Sequence, residues 1–113
     1  MSARRQELGR GGERIATELL LASGYRVLAR NLRLPGGEID VLCLDGSTLV
    51  VVEVKRRESS GYGRALAAVG RSKRATLRRI AADYAQIVAP RAQIRFDVVA
   101  IDGERVTLHR NAF

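Results

Sequence analysis

The run of β-branched residues Val50-Val51-Val52 constrains the fold more than any other feature of the chain. Apolar and polar side chains alternate in a strand that has one face in water, so an unbroken apolar run is typical of a strand covered on both faces. The run continues into Glu53-Val54-Lys55, which adds two charged side chains at alternate positions. We therefore expect a central strand between two layers, with charged groups at one end.

Hydrophobic periods and turn signals divide the rest of the chain. A helical period of apolar residues predicts helices over residues 7–23 and 72–89. Alternating segments bounded by glycine, proline or Asp-Gly pairs predict five strands, over residues 25–32, 38–44, 48–56, 93–101 and 105–110. A glycine-rich loop is expected at residues 59–63. The order α-β-β-β-α-β-β predicts a single α/β domain over residues 1–113, with a central mixed sheet flanked by helices.

Residue usage excludes several classes of protein. With one cysteine (Cys43) and one histidine (His109), the chain cannot form an internal disulfide, a His-dependent triad or most zinc sites. No apolar run approaches the roughly 20 residues that span a bilayer. The first residues are charged and lack a secretory signal pattern. We therefore expect a cytoplasmic protein that is not associated with a membrane.

Positive charge is concentrated in two parts of the sequence. Twenty Lys and Arg residues against twelve Asp and Glu give a net charge of +8, with +4 in residues 1–37, −1 in residues 38–57 and +5 in residues 58–91. This excess favours an anionic partner, nucleic acid first and DNA before RNA. A solvated helix face is the alternative for each arginine taken alone. The candidate nucleic-acid-binding residues are Arg57, Arg71, Lys73, Arg74 and Arg78.

Carboxylates are predicted to meet where two neighbouring strands run side by side. The Asp45-Gly46 turn makes strands 38–44 and 48–56 a hairpin, so Asp40 and Glu53 can lie next to each other. Two such carboxylates repel unless a cation lies between them, and hard oxygen ligands suit Mg²⁺ or Mn²⁺. Lys55 would place an ammonium group beside them. The alternative is a buried Glu53–Lys55 ion pair without metal.

The spacing of these residues resembles a known nuclease motif. Asp40 followed by Glu53-Val54-Lys55 on the next strand is similar to the D…(D/E)xK motif of the restriction-endonuclease-like nucleases. A longer pattern resembles the bacterial YraN-like family, which is related to the archaeal Holliday-junction resolvases. That pattern comprises Gly12-Glu13, Asn31, Gly37-Glu38-Ile39-Asp40, Val52-Glu53-Val54-Lys55-Arg56-Arg57, Lys73 and Arg95-Phe96-Asp97-Val98.

The resemblance implies a restriction-endonuclease-like fold and a metal-dependent DNA endonuclease, acting on branched or Holliday-junction-like DNA. It assigns a Mg²⁺ or Mn²⁺ ion to Asp40, Glu53 and the backbone carbonyl of Val54, with Glu13 close by, and it makes Lys55 the catalytic lysine. Glu38 is a further candidate ligand because it precedes Asp40 on the same strand. The resolvases act as dimers, so the resemblance favours a homodimer.

Two other functions remain open at this point. The chain could be a non-catalytic nucleic-acid-binding protein with an unused nuclease-like site, acting with a partner protein. It could also be a basic RNA-binding module of the ribosome, which would have no affinity for metal. The complete set of Asp40, Glu53 and Lys55 favours the enzyme.

Overall fold

The fold is described from a computed structural model that covers residues 3–58 and 61–113. Ser59 and Ser60 of the predicted glycine-rich loop lie outside the described residues. No helix within the described part of the chain is long and apolar enough to cross a membrane. The elements are α1 (Ala3–Ala22), β1 (Arg26–Leu34), β2 (Gly37–Asp45), β3 (Thr48–Arg57), α2 (Arg64–Ala67), α3 (Arg71–Val88), β4 (Ile94–Asp102) and β5 (Arg105–His109).

The five strands form one mixed sheet in the order β1-β2-β3-β4-β5. The first three strands and the last two pair antiparallel, whereas β3 and β4 pair in parallel through a connection that contains α2 and α3. A parallel pair needs such a crossover because its strands start at the same end of the sheet. The predicted order of elements and the mixed sheet flanked by helices are therefore confirmed.

Helices cover both faces of the central strand β3. On one face, Val50 and Val52 pack with Leu20 of α1. On the other face, Val51 packs with Leu77 and Ile80 of α3. All of these side chains are buried, which accounts for the unbroken valine run.

The one-turn helix α2 was not expected from the sequence. Its first turn is held by the carboxylate of Asp102, which accepts hydrogen bonds from the backbone N–H of Gly63 (3.3 Å) and of Ala65 (2.8 Å). Asp102 is buried and comes from the end of β4. A single helical turn has no readable hydrophobic period, and its capping residue is distant in sequence, so local patterns could not reveal it.

The alternation of side chains along β2 is interrupted at Asp40. Ile39 packs in the cluster beneath α3, whereas Val41, two residues later, packs in the cluster beneath α1. In an uninterrupted strand, residues two apart point to the same face. The pairing of β2 with β3 also ends here, since the last paired residues are Val41 and Val52. The two strands therefore separate at Asp40 and leave a gap beside the end of β3.

Candidate metal centre

Asp40 occupies the gap between β2 and β3. Its Oδ2 atom accepts a hydrogen bond of 2.9 Å from the backbone N–H of Val54, in place of the next pair of the ladder. The N–H and C=O groups of a strand residue point to the same side, because a hydrogen-bonded antiparallel pair exchanges both. The carbonyl of Val54 therefore faces the same gap as the Asp40 side chain.

Glu53 is a buried carboxyl next to Asp40. Its exposure is 6%. Burial, followed by a side-chain hydrogen bond with Asp40 and the negative charge of Asp40, raises the pKa of Glu53 to about 8. A hydrogen bond between two carboxyl groups requires one proton. The raised pKa means that Glu53 binds a proton more readily than an exposed glutamate does, and a cation bound between the two carboxyl groups would compete with that proton.

Both lysines of the chain act on Glu53. The sequence contains Lys55 and Lys73 against eighteen arginines, and the positive charges of both lysines oppose the rise in the Glu53 pKa. Lys73 is half exposed, and its Nζ lies 3.6 Å from Glu53 Oε2. Lys55 is half-buried and follows Glu53 by two positions on β3. The rarity of lysine in an arginine-rich chain is the sequence signal that could have placed Lys73 at this site.

Glu13 and Glu38 do not complete a cluster of three acidic side chains. Oε2 of Glu13 accepts a hydrogen bond of 3.0 Å from the side-chain amide of Asn31, a residue of β1 with φ of 53°. Glu38 is paired in register with Arg33 across the β1–β2 ladder. Within residues 3–58 and 61–113, no three or more His, Cys, Asp or Glu side chains are grouped to hold a metal ion. The carboxylate set at the gap is therefore Asp40 and Glu53.

The donor set at the gap fits a hard divalent cation. Two carboxylates and a backbone carbonyl are oxygen ligands that Mg²⁺ and Mn²⁺ prefer, and Mg²⁺ commonly takes one or two carboxylates while water and phosphate oxygens complete its octahedron. A cation at this place would also offset the negative charge of Asp40, which together with burial raises the pKa of Glu53. The residues that would hold it are Asp40, Glu53 and Val54.

The residues expected to bind nucleic acid lie at two places. Arg57 is exposed at the end of β3, where its Nη1 donates to the carbonyl of Arg56 at 3.2 Å. Arg71 and Arg78 are exposed on α3, whereas Arg74 is half-buried and its Nε donates to the carbonyl of Val69 at 2.8 Å. Lys73, which was also predicted to bind nucleic acid, forms an ion pair with Glu53.

Comparison with known proteins gives the family. The model of "Uncharacterised protein family UPF0102" matches residues 12–101. The chain belongs to this family. It is similar to UPF0102 proteins of Thermodesulfovibrio yellowstonii (39% identity, 96% of this chain and 97% of the relative) and Symbiobacterium thermophilum (44%, 96% and 97%). A UPF0102 protein of Shewanella loihica is 41% identical over 99% of this chain and 98% of its own length. The family expected from the sequence is therefore confirmed.

The buried carboxylate of Asp97 in this UPF0102 chain has a structural role. Asp97 is fully buried and accepts two hydrogen bonds of 2.9 Å from the guanidinium of Arg95, two residues earlier on β4. It also accepts hydrogen bonds from the Tyr25 hydroxyl (2.6 Å) and the backbone N–H of Asn111 (2.9 Å). Tyr25 packs in the cluster beneath α1, on the face of the sheet opposite α3. The motif Arg95-Phe96-Asp97-Val98 therefore has a structural role, because Asp97 links β4 to Tyr25 and to Asn111.

Proposed function

We propose that this UPF0102 protein is a metal-dependent endodeoxyribonuclease whose site is formed by Asp40, Glu53 and Lys55. The observation that carries the proposal is the buried Glu53 carboxyl, which lies beside Asp40 at the end of β3 and forms an ion pair with Lys73. A buried acid with a strongly raised pKa and specific charged neighbours is typical of a functional site. The resemblance to the D…(D/E)xK motif supplies the reaction class.

Each residue has a role that follows from its place. Asp40, Glu53 and the Val54 carbonyl would hold a Mg²⁺ or Mn²⁺ ion, which lowers the pKa of bound water and offsets phosphate charge. Lys55 would orient or deprotonate the attacking water and stabilise negative charge on the phosphate. Lys73, which neutralises Glu53 without metal, becomes available to contact the substrate once a cation takes over that charge.

Branched DNA is the proposed substrate class. The net charge of +8 supports binding to a phosphate backbone, which positions DNA without reading its sequence. The resemblance to Holliday-junction resolvases supports a substrate defined by its shape. A four-way junction offers two symmetric cleavage positions, so a homodimer is part of this proposal.

The test is a cleavage panel of duplex, single-stranded, flap and four-way-junction DNA with Mg²⁺ or Mn²⁺. We expect cleavage of at least one substrate by the wild type and a loss of at least about a hundredfold in Asp40→Asn, since removing even an indirect metal partner costs 10–100-fold. DNA binding should be unchanged or slightly tighter, because the substitution removes a negative charge. Asp83→Asn, an exposed aspartate on α3, is the matched control and should cleave normally.

The same panel can contradict the proposal. If the wild type binds these DNAs and cleaves none of them with either metal, the site is unused and the non-catalytic binding protein is the better description. Equal cleavage by wild type and Asp40→Asn would place the activity elsewhere in the protein or in a contaminant.

A further inference from the structure

A positively charged site, separate from the carboxylate pair, lies at the start of α3. A cavity of about 490 Å³ opens between α2 and the first turns of α3. Its wall on the helix side carries Arg71, Arg74 and Arg78, and Phe113 contributes an aromatic ring. No Asp or Glu is among its lining residues. The cavity is therefore suited to an anion.

Phe113 holds two of the three guanidinium groups in place. Its ring stacks on Phe96 with 5.1 Å between ring centroids. The guanidinium carbons of Arg74 and Arg78 lie 5.5 Å and 5.6 Å from the centroid of Phe113, within the range of a cation–π contact. Each guanidinium carries five N–H donors, and among the described residues the one hydrogen bond from these two side chains runs from the Nε of Arg74 to Val69. The remaining donors of these two side chains are available to a ligand.

These arginines have no carboxylate partner among the side chains that the structure describes. Within residues 11–58 and 61–113, no ion pair involves Arg71, Arg74 or Arg78. The α3 helix adds a partial positive charge, because it begins after Gly70 without a side-chain cap on its first N–H groups. Guanidinium groups and free helix amides are both good partners for phosphate oxygens.

We propose that this cavity, which we call the arginine cradle (Arg71, Arg74, Arg78 and Phe113), binds a backbone phosphate of the nucleic acid. The choice of DNA as ligand rests on the proposed function. Lys73, in the same two turns of α3, reaches Glu53, so the helix that carries the cradle also contacts the carboxylate pair. The cradle would hold the DNA strand beside the scissile bond without taking part in its cleavage.

The test is the salt dependence of binding to fluorescent duplex DNA in EDTA, where no divalent metal is available. We expect Arg71→Ala and Arg78→Ala each to make the log–log slope less negative by about 0.9, the value for one lost phosphate contact. Arg91→Ala removes one exposed charge beyond the other end of α3 and should leave the slope unchanged. Phe113→Leu keeps an apolar contact with Phe96 but removes the ring face, and should weaken binding about two- to fivefold. Melting curves verify that each variant is folded.

Two results separate this proposal from the nuclease proposal. If Arg71→Ala and Arg78→Ala keep the slope of Arg91→Ala, the cradle does not bind phosphate, even if the wild type cleaves DNA. If both variants lose slope while the wild type cleaves nothing, the cradle is supported and the nuclease activity is refuted.

Discussion

Glu53 is the side chain whose charge depends most on its surroundings. Burial and Asp40 raise its pKa from 4.5 to about 8, whereas Lys73 and Lys55 act in the opposite direction. Because the folded protein holds this proton more tightly than the unfolded chain, the contribution of Glu53 to stability is fully present below pH 4.5. It is lost as the pH rises from there to about 8.

Replacing Glu53 with glutamine should remove this pH dependence. In EDTA, we expect the wild type to lose melting temperature between pH 5 and pH 9, and Glu53→Gln to lose less, because the amide does not ionise. At pH 8, Mn²⁺ should raise the melting temperature of the wild type, since a ligand that binds only the folded state stabilises it. The variant should show little or no rise.

The control for this prediction is Glu104→Gln, which changes an exposed glutamate in the β4–β5 turn. It should behave as the wild type does, with and without Mn²⁺. A rise in melting temperature with Mn²⁺ that is equal in all three proteins would mean that the metal binds somewhere other than the carboxylate pair.

At the scale of elements, the Asp97 network joins Tyr25, just before β1, to β4 and to the chain after β5. Burial tends to raise the pKa of Asp97, but hydrogen bonds from Arg95, Tyr25 and the backbone of Asn111 outweigh it and hold the pKa below its ordinary value of 3.8. A carboxylate of this kind contributes stability above pH 3.8. That stability is lost as the pH falls through the lower, folded-state pKa.

Substitutions in this network should therefore affect stability in a pH-dependent way. Asp97→Asn should lower the free energy of unfolding at pH 7 by about 3–5 kcal/mol, because Arg95 loses its buried partner. The deficit should shrink at pH 3, below the ordinary pKa of 3.8, because the unfolded wild-type chain then binds a proton at this carboxyl. Tyr25→Phe should cost at least about 1.5–3 kcal/mol at pH 7, the value of one hydrogen bond to a charged group, because the hydroxyl donates to Asp97 and also accepts from Arg95 and Arg110. Urea denaturation at both pH values measures these differences, and a deficit that is equal at pH 7 and pH 3 would contradict the assignment.

The strands were predictable from the sequence to within about two residues at each end, since valine-rich alternation and the Asp-Gly and Pro-Gly turns are local signals. The sequence could also indicate that Asp40 and Glu53 lie on neighbouring strands. It could not indicate that β2 leaves β3 at Asp40, because the change of face between Ile39 and Val41 looks like ordinary apolar alternation. The Lys73–Glu53 contact was missed because it joins a helix to a strand through tertiary packing alone.

At the scale of the whole molecule, α3 connects the two charged sites. Its buried residues Leu77 and Ile80 fix it on the sheet, while its first turns carry Lys73 to the carboxylate pair and the arginines to the cradle. The acidic groups at the gap are thus next to the positively charged start of a helix.

The parallel pairing of β3 and β4 has a consequence for how the molecule folds. Strands β1, β2 and β3 are joined by tight turns, whereas the pairing of Leu49 with Ile94 joins residues about 45 apart in the chain. Closing a long loop costs more entropy than closing a hairpin, and distant contacts form slowly.

We expect the hairpin that carries Asp40 and Glu53 to form first and Lys73 to join it only when α3 docks. Pulsed hydrogen exchange during refolding should then protect amides of β2 before those of β4, and simultaneous protection would contradict this order. The two acids would meet before Lys73 reaches them, so the charge cluster of Asp40, Glu53 and Lys73 would be completed in the last step of folding.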